Sequence, residues 1–445
     1  MLDTFRHKLA KALMPKHRSF DAANLSSRFP RQASMANPAQ AGLQANPQIR
    51  NRARYIEANN PHAHSGVAAL TASYTGSGIT PAVKHSDKAV RRLYADTWAE
   101  FVSQADADET GDLYGLQAQM VRAMLIDGES FAIANPGPSG LQFRVIPAEQ
   151  VDESKTQYDS GNRIVSGIEF DRTGRRVAYW VFPEPPTLSV KWSPSVRVPA
   201  SAVIHLYPKQ HPGQIRGISS LAPVLLRLNE IDRLEDAILM GFKTAALHAG
   251  FYTDVNGVPG LPYEGEQDGS TLISHIEPGT LTKLPPGADI RFSSPQQAQS
   301  SVDYLQSQLR AVSAGMGVPE FILTNDCSRA NYSSLRASLI AYRQRVETIQ
   351  FTSLIPQMCK PMWDRFTTHY TLLGRLPHES LPVEFYPPAV PAADDIKAVQ
   401  ADVAAIQAGL KSRAQAVAER GYSVENLDDE IAADTLSLAG EQKGI

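Results

Sequence analysis

The sequence predicts an α+β protein, and three changes along the chain support that prediction. Apolar residues recur at helical spacing over residues 50–126. Short β-branched and aromatic runs, separated by Gly, Pro, Asn and Asp, then occupy residues 130–207. Long helical stripes return from residue 218 onwards. The 445 residues are 42% hydrophobic, which is normal for a chain that buries a core.

Charge, cysteine content and hydropathy exclude several classes of protein. The 43 Lys and Arg residues nearly balance the 46 Asp and Glu residues, which argues against a protein that grips nucleic acid over its whole surface. The two cysteines exclude a disulfide scaffold or a cysteine-based zinc module and suit a reducing compartment. The longest apolar stretches fall short of the ~20 residues that a membrane span needs. The basic start, residues 1–20, lacks the apolar region of a signal peptide.

The first part of the chain predicts an arm followed by helices. Residues 1–48 are expected to be an extended arm, because the basic start is followed from about residue 20 by a composition too polar to offset the entropy of ordering. A polar helix is expected at about 50–75 and another at about 113–126. Between them Asp87 is a good N-cap for a helix. Its stripe contains Val90, Leu93, Tyr94, Thr97, Trp98 and Phe101.

The middle of the chain predicts short strands. The residues 171–174, Asp-Arg-Thr-Gly, form a good hairpin turn between two of them. Five strands are expected at 130–134, 141–147, 164–171, 176–182 and 203–207.

Two long helices follow and bracket a Gly- and Pro-rich insert. They are expected at 218–248 and 295–316, and the insert, 253–294, has room only for short strands. The second helix carries apolar residues at steps of four and three, as in a coiled-coil seam. Together they suggest a stalk with a tip. The residues expected to pack in the stalk are Leu221, Leu225, Leu228, Val302, Leu305 and Leu309.

The last third predicts a polar loop and more helices. After the loop at 324–331, a long helix is expected at 332–373, kinked at Pro356 and Pro361. The proline-rich stretch 376–391 is predicted to be an extended linker. An Ala-rich helix is expected at 393–420, before an acidic tail.

No complete catalytic motif is present. The sequence lacks the phosphate loop, the dinucleotide fingerprint, HExxH and GxSxG. The acidic stretch 106–112 resembles the start of a calcium loop, but Gln117 stands where a bidentate Glu is needed. Cys327 lies near Arg329 without a neighbouring His, so a hydrolase that uses the 324–336 loop stays only an alternative. No metal or cofactor is expected.

Six short motifs occur in an order that resembles the tailed-phage portal proteins of the lambda-like family. The most specific is Asp-Cys-Ser-Arg-Ala-Asn-Tyr-Ser-Ser-Leu-Arg at 326–336. The others lie at 74–79, 127–130, 216–221, 279–287 and 316–319, and Gly-Leu-Lys-Ser at 409–412 adds to them. The resemblance covers about residues 45–425.

The resemblance implies a ring, expected to be a dodecamer, at one capsid vertex. It implies a portal-type fold with a mixed α/β wing, a two-helix stem, a small β-containing clip and a short helical crown. The regions would be the arm 1–48, the wing 49–217, stem helices 218–250 and 295–319, the clip 251–294, a channel loop 320–331, a helix returning to the wing with its linker 332–391, and the crown with its tail 392–445.

The resemblance also implies two sets of site residues. Polar loop residues would face a channel through which double-stranded DNA slides without sequence-specific binding: Asn325, Asp326, Ser328, Arg329 and Asn331. Arg329 would touch a phosphate transiently, or else Arg329 or Asp326 would make an intersubunit salt bridge. In the clip, residues expected to dock partners, or to clasp a neighbouring subunit, are Glu277, Lys283, Asp289 and Arg291.

The partners implied are those of a virion component. They are further copies of the chain, the terminase large subunit, head-completion or adaptor proteins, the major capsid protein and scaffold. No membrane partner is expected, and assembly would take place in the host cytoplasm. A second alternative to the portal function is an oligomeric scaffold that binds through residues 218–316 without DNA passage.

Overall fold

The computed structural model describes most of the chain from residue 37 onwards. The described residues are 37–137, 140–186, 193–246, 250–253, 266–268, 271–273, 281–284, 298–328, 331–388, 395–420, 422, 424, 427–432 and 434. The statements on structure below concern these residues. None of the helices in this part of the chain combines the length and the apolar character that crossing a membrane requires.

Helices and strands occur largely in separate runs, as is typical of an α+β fold. The helices are α1 Pro38–Asn59, α2 Pro61–Thr75, α3 Lys88–Gln104, α4 Leu113–Asp127, α5 Leu225–Ala246, α6 Ala298–Met316, α7 Glu320–Thr324, α8 Tyr332–Ile349, α9 Lys360–Leu372, α10 Asp395–Gln407 and α11 Arg413–Ala418. The strands are β1 Thr80–Val83, β2 Ser130–Gly137, β3 Gly140–Ile146, β4 Gln157–Asp159, β5 Asn162–Val165, β6 Ile168–Phe170, β7 Arg176–Val181, β8 Val196–Pro199, β9 Val203–Leu206, β10 Gly250–Thr253, β11 Glu266–Asp268, β12 Thr271–Ile273, β13 Leu281–Leu284 and β14 Val383–Tyr386.

Helix α1 corrects the prediction for the arm, because residues 38–48 are helical and not extended. The side chain of Asn37 accepts a hydrogen bond from Gln40 N at 3.2 Å and caps the helix. Pro38 occupies the first turn, where its missing N–H costs nothing. The remainder of the predicted arm, residues 1–36, lies outside the described residues.

The single polar helix predicted at 50–75 is two helices. Asn60 ends α1 and also caps α2, since its side chain accepts a hydrogen bond from Ala63 N at 2.9 Å. Pro61 follows and cannot continue the hydrogen bonding of α1. The helix predicted from Asp87 is confirmed as α3, with Asp87 Oδ1 accepting from Ala89 N at 2.8 Å. The helix predicted at 113–126 is confirmed as α4.

The strands form two antiparallel sheets in the middle of the chain. One has the order β3-β2-β9, and the other follows the sequence from β4 to β8. The predicted strand 164–171 is divided into β5 and β6 by a turn in which Ser166 and Gly167 have φ angles of 49° and 79°. The predicted turn at 171–174 is confirmed, with Gly174 N donating to Asp171 O at 3.0 Å.

The predicted linker 376–391 contains a strand instead. Strand β14 pairs antiparallel with β1, with Pro81 opposite Phe385. Proline is acceptable here because a two-stranded sheet has only edge strands. The pairing was not foreseen because about 300 residues separate its two strands.

The stalk helices are shorter than predicted. Helix α5 begins at Leu225 and not at Ile218, because residues 220–224 form turns. Helix α6 is described from Ala298. Between them β10 pairs parallel with β13, and β11 pairs antiparallel with β12.

The C-terminal helices are also divided more finely than predicted. Residues 320–324 of the predicted channel loop are the helix α7. The long helix predicted at 332–373 is α8, a π-helical segment Gln350–Cys359 that contains Pro356, and α9. The crown helix predicted at 393–420 is α10 and α11, because Gly409 adopts a φ of 71° and Ser412 caps a new helix.

A main core joins the helices, and its centre is aromatic. Trp98 and Phe101 of α3 pack against Trp363 and Phe366 of α9, with ring centroids 4.9–5.2 Å apart. Phe143 of β3 makes an edge-on contact with Phe101, with their ring centroids 6.2 Å apart. A second buried cluster lies where the two sheets meet and contains Phe131, Ile168, Tyr179, Val181 and Val203.

Candidate functional site

The first half of the predicted stalk is buried within the chain. Leu221, Leu225, Leu228 and Leu309 belong to the main core, and Leu305 is partly buried against it. The surroundings of Val302 lie outside the described residues. These four leucines are therefore not available to another copy of the chain, whereas Leu226 beside them is exposed.

The second half of α5 differs, because its large apolar side chains face solvent. Leu239, Met240 and Phe242 are each at least half exposed, with exposed fractions of 51%, 60% and 51%. Tyr304 of α6 is 56% exposed as well. Leu239 and Phe242 are three positions apart and so share one face of α5, and contiguous exposed apolar groups often mark an interaction surface.

The predicted channel loop is a well-defined turn between α7 and α8. Asn325 ends α7 with a φ of 54°, in the left-handed region that Asn tolerates. Asp326 Oδ1 accepts a hydrogen bond from Ser328 N at 2.8 Å. Asn331 caps α8, since its side chain accepts from Ser334 N at 2.8 Å. Hydrogen bonding therefore shapes the loop, while all four of these predicted residues stay exposed.

The remaining predicted site residues are described only in part. Arg329 lies outside the described residues, as do Glu277, Asp289 and Arg291 of the predicted clip. Lys283 lies in β13, opposite Tyr252 of β10.

The two cysteines have opposite surroundings. Cys327 is exposed in the loop, whereas Cys359 is buried and its burial raises the pKa of the thiol. Within the described residues, no group of three or more His, Cys, Asp and Glu side chains is placed to hold a metal ion.

A buried ion pair joins two of the sequence motifs, and sequence reasoning did not foresee it. Glu129, between α4 and β2, is fully buried and accepts a hydrogen bond from Arg216 Nε at 2.7 Å. Arg216 also donates to the carbonyl oxygens of Ser166 and Ala148, at 2.9 and 3.1 Å. The guanidinium thus links the segment before α5 to the turn between β5 and β6 and to the residues that follow β3.

The backbones of the same two motifs touch. A Cβ added at Gly217 would lie 2.0 Å from the carbonyl oxygen of Gly128, and one added at Gly128 would lie 2.4 Å from the carbonyl carbon of Ile218. Ser220 N also donates to Leu125 O at 3.0 Å. These contacts fix residues 216–220 against the end of α4. We call residues 127–130 together with 216–221 the stem anchor.

Helix α1 is held to the stem anchor by arginines. Arg54 makes two hydrogen bonds to Asp127, at 2.7 and 2.6 Å, and two to Glu149, at 2.9 and 2.8 Å. One turn earlier, Arg50 pairs with Glu153, which also receives a hydrogen bond from Arg216. The residues 38–59 are consequently part of the folded body.

His205 of β9 contacts Glu129 of the stem anchor, and its ring is neutral. Its Nε2 lies 3.0 Å from Glu129 Oε2, and its Nδ1 lies 3.4 Å from Arg176 Nη1. Arginine can only donate, so Nδ1 must be the acceptor and Nε2–H the donor to Glu129. Burial lowers the pKa of His205 to about 4, against an opposing effect of Glu129. Burial alone would raise the pKa of Glu129, but the charge of Arg216 and the hydrogen bond from His205 outweigh it and the pKa is lowered.

We expect the protein to lose stability in mild acid because of His205. The unfolded chain takes up a proton near pH 6.5, whereas the folded chain does so only near pH 4, so stability falls as pH decreases through this window. The slope contributed by one such group is at most roughly 1.4 kcal/mol per pH unit.

Urea unfolding at pH 7, 6 and 5 measures this slope. The variant His205→Gln keeps a donor toward Glu129 but cannot take up a proton, so its stability should depend less on pH between 7 and 5. Equal slopes for the variant and the wild type would show that His205 is not the group responsible.

Comparison with known proteins identifies the family to which these motifs belong. The model of the lambda family of phage portal proteins matches residues 26–350. The chain belongs to this family. Portal proteins are structural components of the phage head and not enzymes, and the portal of a tailed phage is part of its head-tail connector.

Individual relatives are distant. The probable portal protein of Halomonas phage phiHAP-1 is 24% identical over 328 residues, which are 68% of this chain and 62% of that protein. The chain therefore spans less than two thirds of the length of this relative. A chain in the neck of a native gene transfer agent particle, with C12 symmetry, has 14% identity and a TM-score of 0.47, covering 84% of this chain and 92% of that one. A chain in the neck of the empty particle, with C6 symmetry, has 13% identity and a TM-score of 0.46, covering 85% and 93%.

Proposed function

We propose that the chain is the subunit of a portal ring, through which DNA enters and leaves a phage head at one vertex. The observation that carries the proposal is the match of the lambda family of portal proteins to residues 26–350. The ring would be a homo-oligomer, expected to be a dodecamer. Its place would be the virion, after assembly in the host cytoplasm.

The regions of the subunit follow the predicted order, with boundaries adjusted to the helices. The wing would comprise α1 to β9 together with α9, since these elements share the two buried clusters. The stem would be α5 and α6, and the clip would lie between them, at 251–294. Helices α10 and α11 would form the crown. In this arrangement the stem anchor joins the stem to the wing.

Exposed apolar residues on α5 support closure into a ring. Each subunit of a ring needs two complementary surfaces, and the far half of α5 offers apolar surface that the described residues do not cover. The alternative of a scaffold without DNA passage would use the same surface, so only the content of the ring separates the two.

The loop between α7 and α8 suits a channel that lets DNA slide. Asn325, Asp326, Ser328 and Asn331 are exposed and polar, and they present no cluster of cations to hold phosphates. Arg329 would add a single cation, for a transient phosphate contact or an intersubunit salt bridge.

The clip would dock the proteins that act at the vertex. Glu277, Lys283, Asp289 and Arg291 would supply charged contacts there. The strands β10 to β13 form two-stranded sheets in the described part of the chain, and the outer edges of such sheets would allow strand addition. The partners proposed are the terminase large subunit and head-completion or adaptor proteins, with the major capsid protein and scaffold around the wing.

Oligomeric state tests the proposal directly. Native mass measurement and negative-stain images of the purified chain should show closed rings. The double variant Leu239→Asp/Phe242→Asp places charges on the exposed half of α5, where burial without a partner is costly, and should abolish rings while circular dichroism stays unchanged. Leu372→Asp, at a leucine of α9 that is more exposed still, is the control and should leave rings intact. A wild type that stays monomeric under all conditions would refute the proposal.

Thiol labelling tests whether the loop lines the channel. In empty rings a maleimide should modify Cys327 and spare the buried Cys359, whose protonated thiol is also unreactive. DNA held in the channel should slow the modification of Cys327 by at least about tenfold, whereas a Cys327→Ser variant should take up no label in either state. Equal labelling rates in empty and DNA-filled particles would remove the loop from the channel and favour a scaffold without DNA passage.

A further inference from the structure

Helix α1 lies over the stem anchor with a largely polar face. Its buried residues recur at helical spacing and are Gly42, Asn46, Arg50, Ala53, Ile56 and Glu57. Most of the stability of a helix comes from packing an apolar face, and among these residues only Ala53 and Ile56 carry apolar side chains. Both lie in the second half of the helix, residues 48–59. In the first half, residues 38–46, no apolar side chain is fully buried.

The first half of α1 contacts the stem anchor at two points. Asn46 Nδ2 donates a hydrogen bond to the carbonyl oxygen of Gly217 at 2.6 Å. Gly42 packs closely on Ile218, since a Cβ added at Gly42 would lie 2.7 Å from Ile218 Cδ1. Asn46 Oδ1 is buried, yet it accepts no hydrogen bond from the described residues. An unpaired buried acceptor costs free energy, so it weakens the docking of this half.

The second half of α1 is held by more and stronger contacts. The four hydrogen bonds from Arg54 to Asp127 and Glu149 join it to the wing. At its end Asn60 Nδ2 donates to Asp232 Oδ1 of α5 at 2.6 Å. Because hydrogen bonds between charged groups are the stronger ones, this half stays docked more firmly than the first half.

Pro47 lies at the junction of the two halves, inside the helix. Proline has no N–H, so the carbonyl oxygen of Leu43 lacks the backbone hydrogen bond that a continuous helix would give it. The side chain of Pro47 is exposed and adds no buried contact at this point. The first half is therefore joined to the second by a weakened turn of the helix.

We propose that residues 38–46 form a releasable strap, hinged at Pro47, which must leave Gly217 and Ile218 before the stem anchor can open. The strap covers the segment through which α5 joins the wing. While it is docked, residues 216–220 are held from two sides, by α1 and by the end of α4. Once it detaches, only the contacts with the wing hold them. The proposal goes beyond the portal function and concerns a single chain, so it does not require a ring.

Hydrogen exchange of the full-length protein, followed by mass spectrometry, tests the proposal. The backbone amides of residues 38–46 should exchange at least about tenfold faster than those of residues 50–59, because the strap opens on its own. The amides of Gly217 and Ser220 donate to Glu129 Oε2 and Leu125 O, so they report on the opening of the stem anchor.

Two variants should move the strap and the stem anchor together, in opposite directions. Pro47→Ala restores the missing N–H and should slow exchange by about tenfold in residues 38–46 and also in 216–220. Asn46→Ala removes the bond to Gly217 O and should speed exchange in both segments. Gln44→Ala, at an exposed position of the strap, is the control and should leave both rates unchanged.

The exchange of α3 serves as the reference in each variant and should not change. If Pro47→Ala and Asn46→Ala altered exchange in residues 38–46 but not in 216–220, the strap would not control the stem anchor. If residues 38–46 and 50–59 exchanged at the same rate in the wild type, no strap would open at Pro47. An equal change in α3 would show that only global unfolding was measured. Each of these three results would overturn the proposal.

Discussion

Replacing Arg216 by methionine should destabilise the protein by about 3–5 kcal/mol, the usual cost of leaving one partner of a buried ion pair alone. Methionine replaces only the aliphatic part of the arginine side chain, so it leaves the Glu129 carboxylate without its counter-charge and removes the donors to Ser166 O and Ala148 O. Because folded proteins are stable by only about 5–15 kcal/mol, this loss is a large part of the total. Urea unfolding followed by circular dichroism measures it.

The matched control is Arg375→Met, which removes an arginine–glutamate pair at the surface. Arg375 and Glu100 are both more than 40% exposed, so solvent screens their charges and the variant should unfold at nearly the wild-type urea concentration. A similar loss from both variants would mean that the Glu129–Arg216 pair contributes no more than a surface pair. If the Arg216→Met variant kept the wild-type stability and still formed rings, the ion pair of the stem anchor would not be needed for assembly.

Replacing Gly217 by alanine should be at least as damaging, with an expected loss of about 4 kcal/mol or more. The new Cβ would lie 2.0 Å from the carbonyl oxygen of Gly128, and this atom belongs to a backbone that cannot rotate away. Relief of the overlap requires the two segments of the stem anchor to separate. Gly217 N would then lose its hydrogen bond to Glu129 Oε2, which is 3.0 Å long. Thermal and urea unfolding of the variant test this expectation.

The control for this substitution is Gly241→Ala in the exposed part of α5. No atom lies within 4 Å of a Cβ added there, and alanine favours a helix over glycine. The control should therefore raise stability by about 0.5–1 kcal/mol. If Gly217→Ala behaved like this control, the two backbones would not be in contact in the folded protein.

Local signals in the sequence predicted the elements well, and long-range pairing escaped them. Asp87 and the stripe after it predicted α3, and the turn at 171–174 predicted a hairpin, because capping and turn residues act over a few positions. Strands β1 and β14 were missed because each is four residues long and finds its only described partner about 300 residues away. The apolar periodicity likewise predicted that α5 begins at Ile218 and not at Leu225. The contacts of residues 216–220 with the end of α4 hold this segment as turns instead.

The candidate site shows the same division between local and distant information. The polar loop was predicted from its composition, but the roles of Asn325 and Asn331 as helix caps depend on the geometry of α7 and α8. The motifs at 127–130 and 216–221 were recognised one by one. Their partnership was not, since nothing in either motif says that Glu129 meets an arginine 87 positions later.

The pairing of β1 with β14 also bears on how a ribosome delivers this protein. Strand β1 leaves the exit tunnel with the first hundred residues, yet its partner emerges about 300 residues later. At 5–20 residues per second the wait is roughly 15–60 s. Trp98 and Phe101 wait almost as long for Trp363 and Phe366. The nascent chain must therefore keep an aromatic surface away from other nascent chains for most of its synthesis, so slow translation of the last third, or a shortage of chaperones, should favour aggregation before any assembly begins.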